Sequence, residues 1–168
     1  KDEVPIIEVL RNVVDEYRDR GEYFDTVWLL MACSPLITPE ILNNAFEKYS
    51  IKKQAEPLLA VSKFNAPIEW AFTIKENNQL MPVSPGASFI SSKDLIQKYY
   101  DSGSFAIFPT EIISKDSIED LDNKFNAFII PKYESVDIDD LEDWELAKRL
   151  YLGKLASDKL NYDNFQKP

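Results

Sequence analysis

The sequence contains no histidine, one cysteine and only four glycines in 168 residues. Without histidine there is no Ser-His-Asp or Cys-His catalysis and no imidazole metal ligand. The single cysteine, Cys33, rules out an intramolecular disulfide and a cysteine-based zinc site, and it fits a reducing cytoplasm. No apolar run approaches the roughly 18–20 residues of a membrane-spanning helix, and no signal peptide is visible. Basic residues are in deficit: 19 Lys and Arg against 29 Asp and Glu give a net charge of −10. That balance speaks against nucleic acid or an anionic membrane as the main partner. Metal chemistry in such a chain must use oxygen ligands, which points to Mg²⁺, Mn²⁺ or Ca²⁺.

What is present is a globular composition, with 45% hydrophobic and 12% aromatic residues. The length suits one domain over 1–168, and a start at Lys1 rather than Met reads as part of a longer product. Apolar residues from Val4 to Tyr17 at spacings of three and four predict a helix over 3–20, closed by Gly21. Asp25 to Cys33 is a short apolar run that predicts a strand buried on both faces. Thr38 then fits an N-cap with Pro39 at the first helical position. Pro57 to Phe64 predicts a second buried strand, and residues 68–74 and 79–83 flank a hairpin turn at Lys75 to Asn78. A short helix is expected from Ser92 to Tyr100, and strands over 104–108, 125–131 and 135–139. A final helix is expected over 140–160 with Leu141, Trp144, Ala147, Leu150 and Tyr151 on one face. Residues 111–123 suit a helix or a loop, Asp116 to Asp122 a solvated face, and Lys52-Lys53 is too short for a basic patch. Helices alternating with apolar strands define an α/β layered fold.

Seven carboxylates fall between Glu134 and Glu145 with no basic residue among them. Like charges crowd only where solvent, a helix N-terminus or a cation offsets them. Alternation along a strand puts Asp137 and Asp139 on one face, about 6–7 Å apart, where they can clasp a divalent ion. Equally, Asp139 can cap the following helix with Glu142 closing a capping box. The two readings overlap and both stay open on the pattern. Cys33, lacking a histidine partner, reads as a packed residue. Trp70, Tyr99 and Tyr100 read as core or as stacking surfaces.

Asp137-Ile-Asp-Asp-Leu-Glu-Asp-Trp-Glu-Leu-Ala147 resembles the closing motif of the sugar-acid cytidylyltransferases, which activate acylneuraminate, pseudaminic acid and ketodeoxyoctonate. Val27 to Leu36 resembles that family's strand ending in a Thr-Ser-Pro-Leu or Thr-Ala-Pro turn. Val61 to Ala71 resembles the segment leading into its hairpin, and Ser92 to Phe105 its Ser-Gln-Asp-Leu…Asp-Ala-Gly-Gln-Phe stretch. The resemblance runs over most of residues 1–155. It implies a Rossmann-like nucleotide-sugar transferase fold: a mixed, mostly parallel sheet with a β-hairpin extension. It also implies transfer of CMP from CTP to a sugar acid with release of pyrophosphate, and a homodimer built partly by the hairpin. On this resemblance Asp137 and Asp139 hold Mg²⁺ (or Mn²⁺) against the phosphates. Met31, Cys33 and Ser34, with Asp101, Ser102 and Gly103, border the sugar pocket.

The departures from the family are specific. Its N-terminal nucleotide-binding part, a basic glycine-containing phosphate loop and the strand that follows, is expected before Lys1. Its usual Gln or Tyr at the strand-end turn is Met31. An Arg before the Ser-Gln-Asp-Leu run is Ser91, and Gln-Arg-Ala is Glu69-Trp70-Ala71. Anion binding favours Arg or Lys, so the alternative expectation is a catalytically inactive binding or assembly module derived from the family.

Overall fold

The computed structural model describes residues 4–51, 56–115 and 124–165. The segments containing Lys52-Lys53 and Asp116 to Asp122 therefore lie outside the described residues. A four-stranded sheet forms the centre. It comprises β1 (Thr26–Leu30), β2 (Leu58–Lys63), β5 (Tyr99–Pro109) and β6 (Asn126–Ile129), in the order β1-β5-β2-β6. β5 is antiparallel to both β1 and β2, and β2 is parallel to β6. Three of the four strands thus share one direction, and the long β5 is threaded between them against it.

Period-two alternation along β5 divides the core in two. Phe105 and Ile107 face α2 (Pro39–Ile51) and pack with Ile41, Ala45, Tyr49, Leu58 and Ala60. Ala106 and Phe108 face α1 (Ile6–Asp19) and α3 (Thr110–Lys115), packing with Ile7, Leu10 and Ile113. Helix α2 starts where its sequence dictates: Thr38 Oγ1 accepts from the Ile41 amide at 3.4 Å and Pro39 fills the first position. Helix α1 ends at Gly21, whose φ is +81°. Helix α4 (Leu141–Phe165) packs through Ala147 and Leu150 on Leu36, Val136 and Ile138.

Three expectations are corrected. Strand β1 does send Trp28 to one core and Val27 and Leu29 to the other, but it is an edge strand and only half-buried. The expected helix over Ser92–Tyr100 is a single 3₁₀ turn, Ser92–Asp94, with Ser91 Oγ accepting from the Lys93 amide. Leu95 is already extended, and Tyr99 and Tyr100 pair with Lys63 and Ser62, so long-range strand pairing overrides the weak helical pattern. Residues 135–139 form no strand. The extended segment follows a 3₁₀ turn at Lys132–Glu134 and is tied to the sheet by the Ile138 amide, which donates to Cys33 O at 3.0 Å.

The hairpin forms, but its arms are shorter than 68–74 and 79–83, and Ile68–Trp70 is a 3₁₀ turn. β3 (Phe72–Ile74) pairs with β4 (Leu80–Pro82), and the turn is closed by Asn78 in the left-handed region, φ +62°. It stands away from the core: Phe72, Ile74, Leu80, Met81 and Val83 are all exposed.

Candidate functional site

Three segments far apart in sequence meet at the end of β1. The first is the turn Met31–Leu36. The Met31 amide donates to Ser104 O at 3.0 Å and the Ser34 amide to Met31 O at 3.3 Å. Met31 is exposed, Cys33 half-buried and Ser34 buried. The second is Asp101–Gly103, which lies within β5 and not in a loop. There β2 advances from Leu59 to Val61 while β5 runs back from Ala106 to Asp101, so β5 carries surplus residues in a bulge. The bulge turns Ser102 inward, where its Oγ donates to Ala60 O at 2.8 Å; Asp101 stays exposed and its Oδ1 accepts from the Gly103 amide at 3.0 Å. Ser34 Oγ bridges the two segments, donating to Gly103 O at 3.1 Å.

The third segment is Ser135 to Asp140. Val136 and Ile138 join the apolar cluster under α4, so the alternation expected of this stretch holds without a strand. Asp137 turns the other way and lies against Gly103. Its Oδ1 is buried with no hydrogen-bond partner. Asp139 is exposed. The Cys33 thiol is held above its ordinary pKa chiefly by its hydrogen bond to Asp137, then by partial desolvation and the negative charge of Asp137, with a smaller effect from Asp139.

The remaining acidic residues serve the helix. Asp140 is the N-cap of α4: its Oδ1 accepts from the amides of Glu142 (2.8 Å) and Asp143 (3.0 Å). Asp143 Oδ2 reaches back to the amides of Asp139 (3.1 Å) and Asp140 (3.2 Å). The capping box is real but sits one residue later than the sequence pattern suggested, as Asp140 with Asp143 instead of Asp139 with Glu142. That shift frees the Asp139 side chain from capping. Replacing Asp140 by alanine is expected to cost about 1 kcal/mol in urea denaturation, and Glu142→Gln close to nothing.

The hairpin approach holds a feature that sequence reading missed. Lys98 Nζ forms a close ion pair with Glu69 Oε1. The Lys98 hydrogen bond holds the Glu69 carboxyl below its ordinary range. No local signal announces this pair, whose members lie 29 residues apart. Glu69 Oε2 and Trp70 Nε1 are buried without partners. Tyr100 stacks edge-on against Phe64 and its hydroxyl meets Ser135 Oγ at 3.3 Å, so it is a packing residue here.

Among the described residues no group of three or more Asp, Glu, Cys or His side chains gathers as a metal cage. A cation here would take one or two carboxylates and complete its shell with water and ligand oxygens, as Mg²⁺ commonly does. The buried, unpartnered Oδ1 of Asp137 fits such an ion. Among the same residues no helix is long and apolar enough to cross a membrane.

The sheet order and the site at its strand ends define a Rossmann-like nucleotidyltransferase fold. A solved CMP:2-keto-3-deoxy-manno-octonic acid synthetase, complexed with CTP, superposes with a TM-score of 0.55 at 11% identity, covering 91% of this chain and 70% of that one. In sequence the chain is similar to two pseudaminic acid cytidylyltransferases. It is 32% identical over 144 residues, 85% of its length, to the pseudaminic acid cytidylyltransferase of Campylobacter jejuni subsp. jejuni serotype O:2. It is 32% identical over 143 residues to that of serotype O:23/36. The chain spans about 60% of the length of each of these relatives. No family model matches it.

Proposed function

We propose that this chain forms the sugar-acid side of a cytidylyltransferase. In the reaction, the anomeric hydroxyl of a nonulosonic (sialic- or pseudaminic-like) acid attacks the α-phosphorus of CTP. An oxygen–phosphorus bond forms to the sugar, the bond to pyrophosphate breaks, and the hydroxyl proton is lost. The observation that carries this reading is the meeting of Cys33, Gly103 and Asp137, from three of the segments that resemble the family, at one end of the sheet. Asp137 and Asp139 are the residues that would hold Mg²⁺ or Mn²⁺, which when bound neutralises charge on the phosphates. The chain's own contribution is positioning. The Met31–Ser34 turn and the Asp101–Gly103 bulge border the sugar acid, and no protein nucleophile takes part, in keeping with phosphoryl-type transfer. The compartment proposed is the cytoplasm.

The polypeptide as the cell makes it should release pyrophosphate when given CTP, Mg²⁺ and a nonulosonic acid. Silence with sialic, pseudaminic and ketodeoxyoctonic acids alike would defeat the catalytic reading. The second reading, an inactive binding or assembly module, is favoured by one observation: Lys98 is engaged by Glu69, while the family's two arginine positions are Ser91 and Trp70. Calorimetry showing sugar-acid or CTP binding without turnover would select it.

A homodimer through the hairpin is part of the proposal. Ile74 is 71% and Leu80 55% exposed on a two-stranded ribbon that is only marginally stable alone. Ile74→Lys is expected to shift the sedimentation coefficient from dimer to monomer. An unchanged value would place the interface elsewhere.

A further inference from the structure

We infer that Gly103 is a positioning residue for Asp137: β5 omits a side chain at this point so that the carboxylate can lie against the strand. A Cβ built on Gly103 would come within 2.8 Å of Asp137 Cγ and closer still to Oδ2. A methyl group there would make the Asp137 carboxylate, the far end of a flexible side chain, swing out of that space. The backbone is committed to this arrangement. Gly103 sits in the left-handed region at φ +63°, within the bulge of β5. Its carbonyl is held by Ser34 Oγ and its amide by Asp101 Oδ1. On the far side, Ile138 N is anchored to Cys33 O, so the chain carrying Asp137 is fixed against the same turn. The seat therefore has three walls from three segments, and it leaves Oδ1 of Asp137 as the one buried acceptor without a partner in this cluster. This moves Gly103 from a residue that touches substrate to one that acts through Asp137. What the seated carboxylate holds rests on the function proposed above, whereas the seat does not.

A glycine at positive φ resists substitution for backbone reasons alone, so the test must separate that strain from the seat. It is a double-mutant cycle on unfolding, with Gly103→Ala measured in the wild-type and Asp137→Ala backgrounds. Alanine at 137 retains only the Cβ, which would stand 3.4 Å from the new methyl, an ordinary contact. The fall in the folding equilibrium constant caused by Gly103→Ala should be at least about twofold larger with Asp137 present than without it. Equal falls in the two backgrounds would overturn the proposal and leave only turn strain. If Gly103→Ala alone fails to fold, recovery of a folded protein by the double variant supports the seat. Failure of the double variant where Asp137→Ala folds overturns it. A second readout is Mn²⁺ affinity, by water-proton relaxation, on the folded Gly103→Ala and Asp137→Asn variants. Both should lose Mn²⁺ binding to a similar extent, and normal binding by Gly103→Ala would count against positioning. A wild-type protein that binds no Mn²⁺ would defeat the cation reading of the function, with the unfolding cycle still deciding the seat.

Discussion

On the function proposed above, Asp137→Asn is expected to cut cytidylyl transfer by about 10²–10⁴-fold while leaving thermal stability unchanged or slightly raised. The size follows from what a bound divalent ion contributes, several kcal/mol of charge stabilisation, at about 1.4 kcal/mol per factor of ten. The stability expectation follows from the geometry. Oδ1 of Asp137 is buried without a donor, and the neighbouring Asp139, Asp140, Glu142 and Asp143 add like charge along the same stretch. Neutralising one member removes repulsion and costs at most the hydrogen bond from the Cys33 thiol. A structural aspartate would behave in the opposite way, losing stability and leaving turnover per folded molecule intact. Kinetics and a melting curve on one variant thus separate the two roles. Asp139→Asn should share the kinetic direction, because the cap expected of it is made by Asp140.

Much of the local structure was legible because its causes are local. The Thr38-Pro39 start of α2, the Gly21 end of α1 and the Asn78 turn are set by residues within four positions, and they appear as expected. The failures arise where distant pairing decides. Ser92 to Tyr100 carries a helix-like start, yet its last residues are claimed by β2. An apolar run such as Thr26–Leu30 looks the same whether central or at an edge, and only the threading of β5 between β1 and β2 makes it an edge. At the site, the pairing of opposite-facing Val136 and Ile138 with Asp137 was readable from period-two alternation. The burial of Ser102 and the seat at Gly103 were not, because they depend on a bulge whose surplus residues show only against the partner strand. The Glu69–Lys98 pair escaped for the same reason. The acidic run itself divides as its chemistry requires. One part caps α4, while the Asp137 and Asp139 side chains take no part in the cap.

Ile107→Ala is the substitution expected to cost most in stability, about 2–5 kcal/mol. Ile107 is fully buried in the central strand, opposite Trp28 on β1 and Leu58 on β2. Its side chain fills the layer under α2 with Ile41, Ala45, Tyr49 and Phe105. Backbone ladders on both sides fix the strand, so the cavity cannot collapse by local movement, which favours the upper part of that range. For a chain of this size the loss corresponds to a fall in melting temperature of roughly 5–20 °C. The midpoint in urea should drop while the slope stays constant, since the same surface is exposed on unfolding. Leu30→Ala provides the contrast, because Leu30 ends the edge strand and is 55% exposed; its cost should stay below about 1 kcal/mol. Similar losses for the two variants would contradict the placement of β5 at the centre of the sheet. That placement matters to the site, because the strand that carries Ile107 also carries the bulge at Gly103 four residues earlier. A β5 moved to the sheet edge would lose one of the ladders that hold the bulge, and with it the rigid seat on which Asp137 depends.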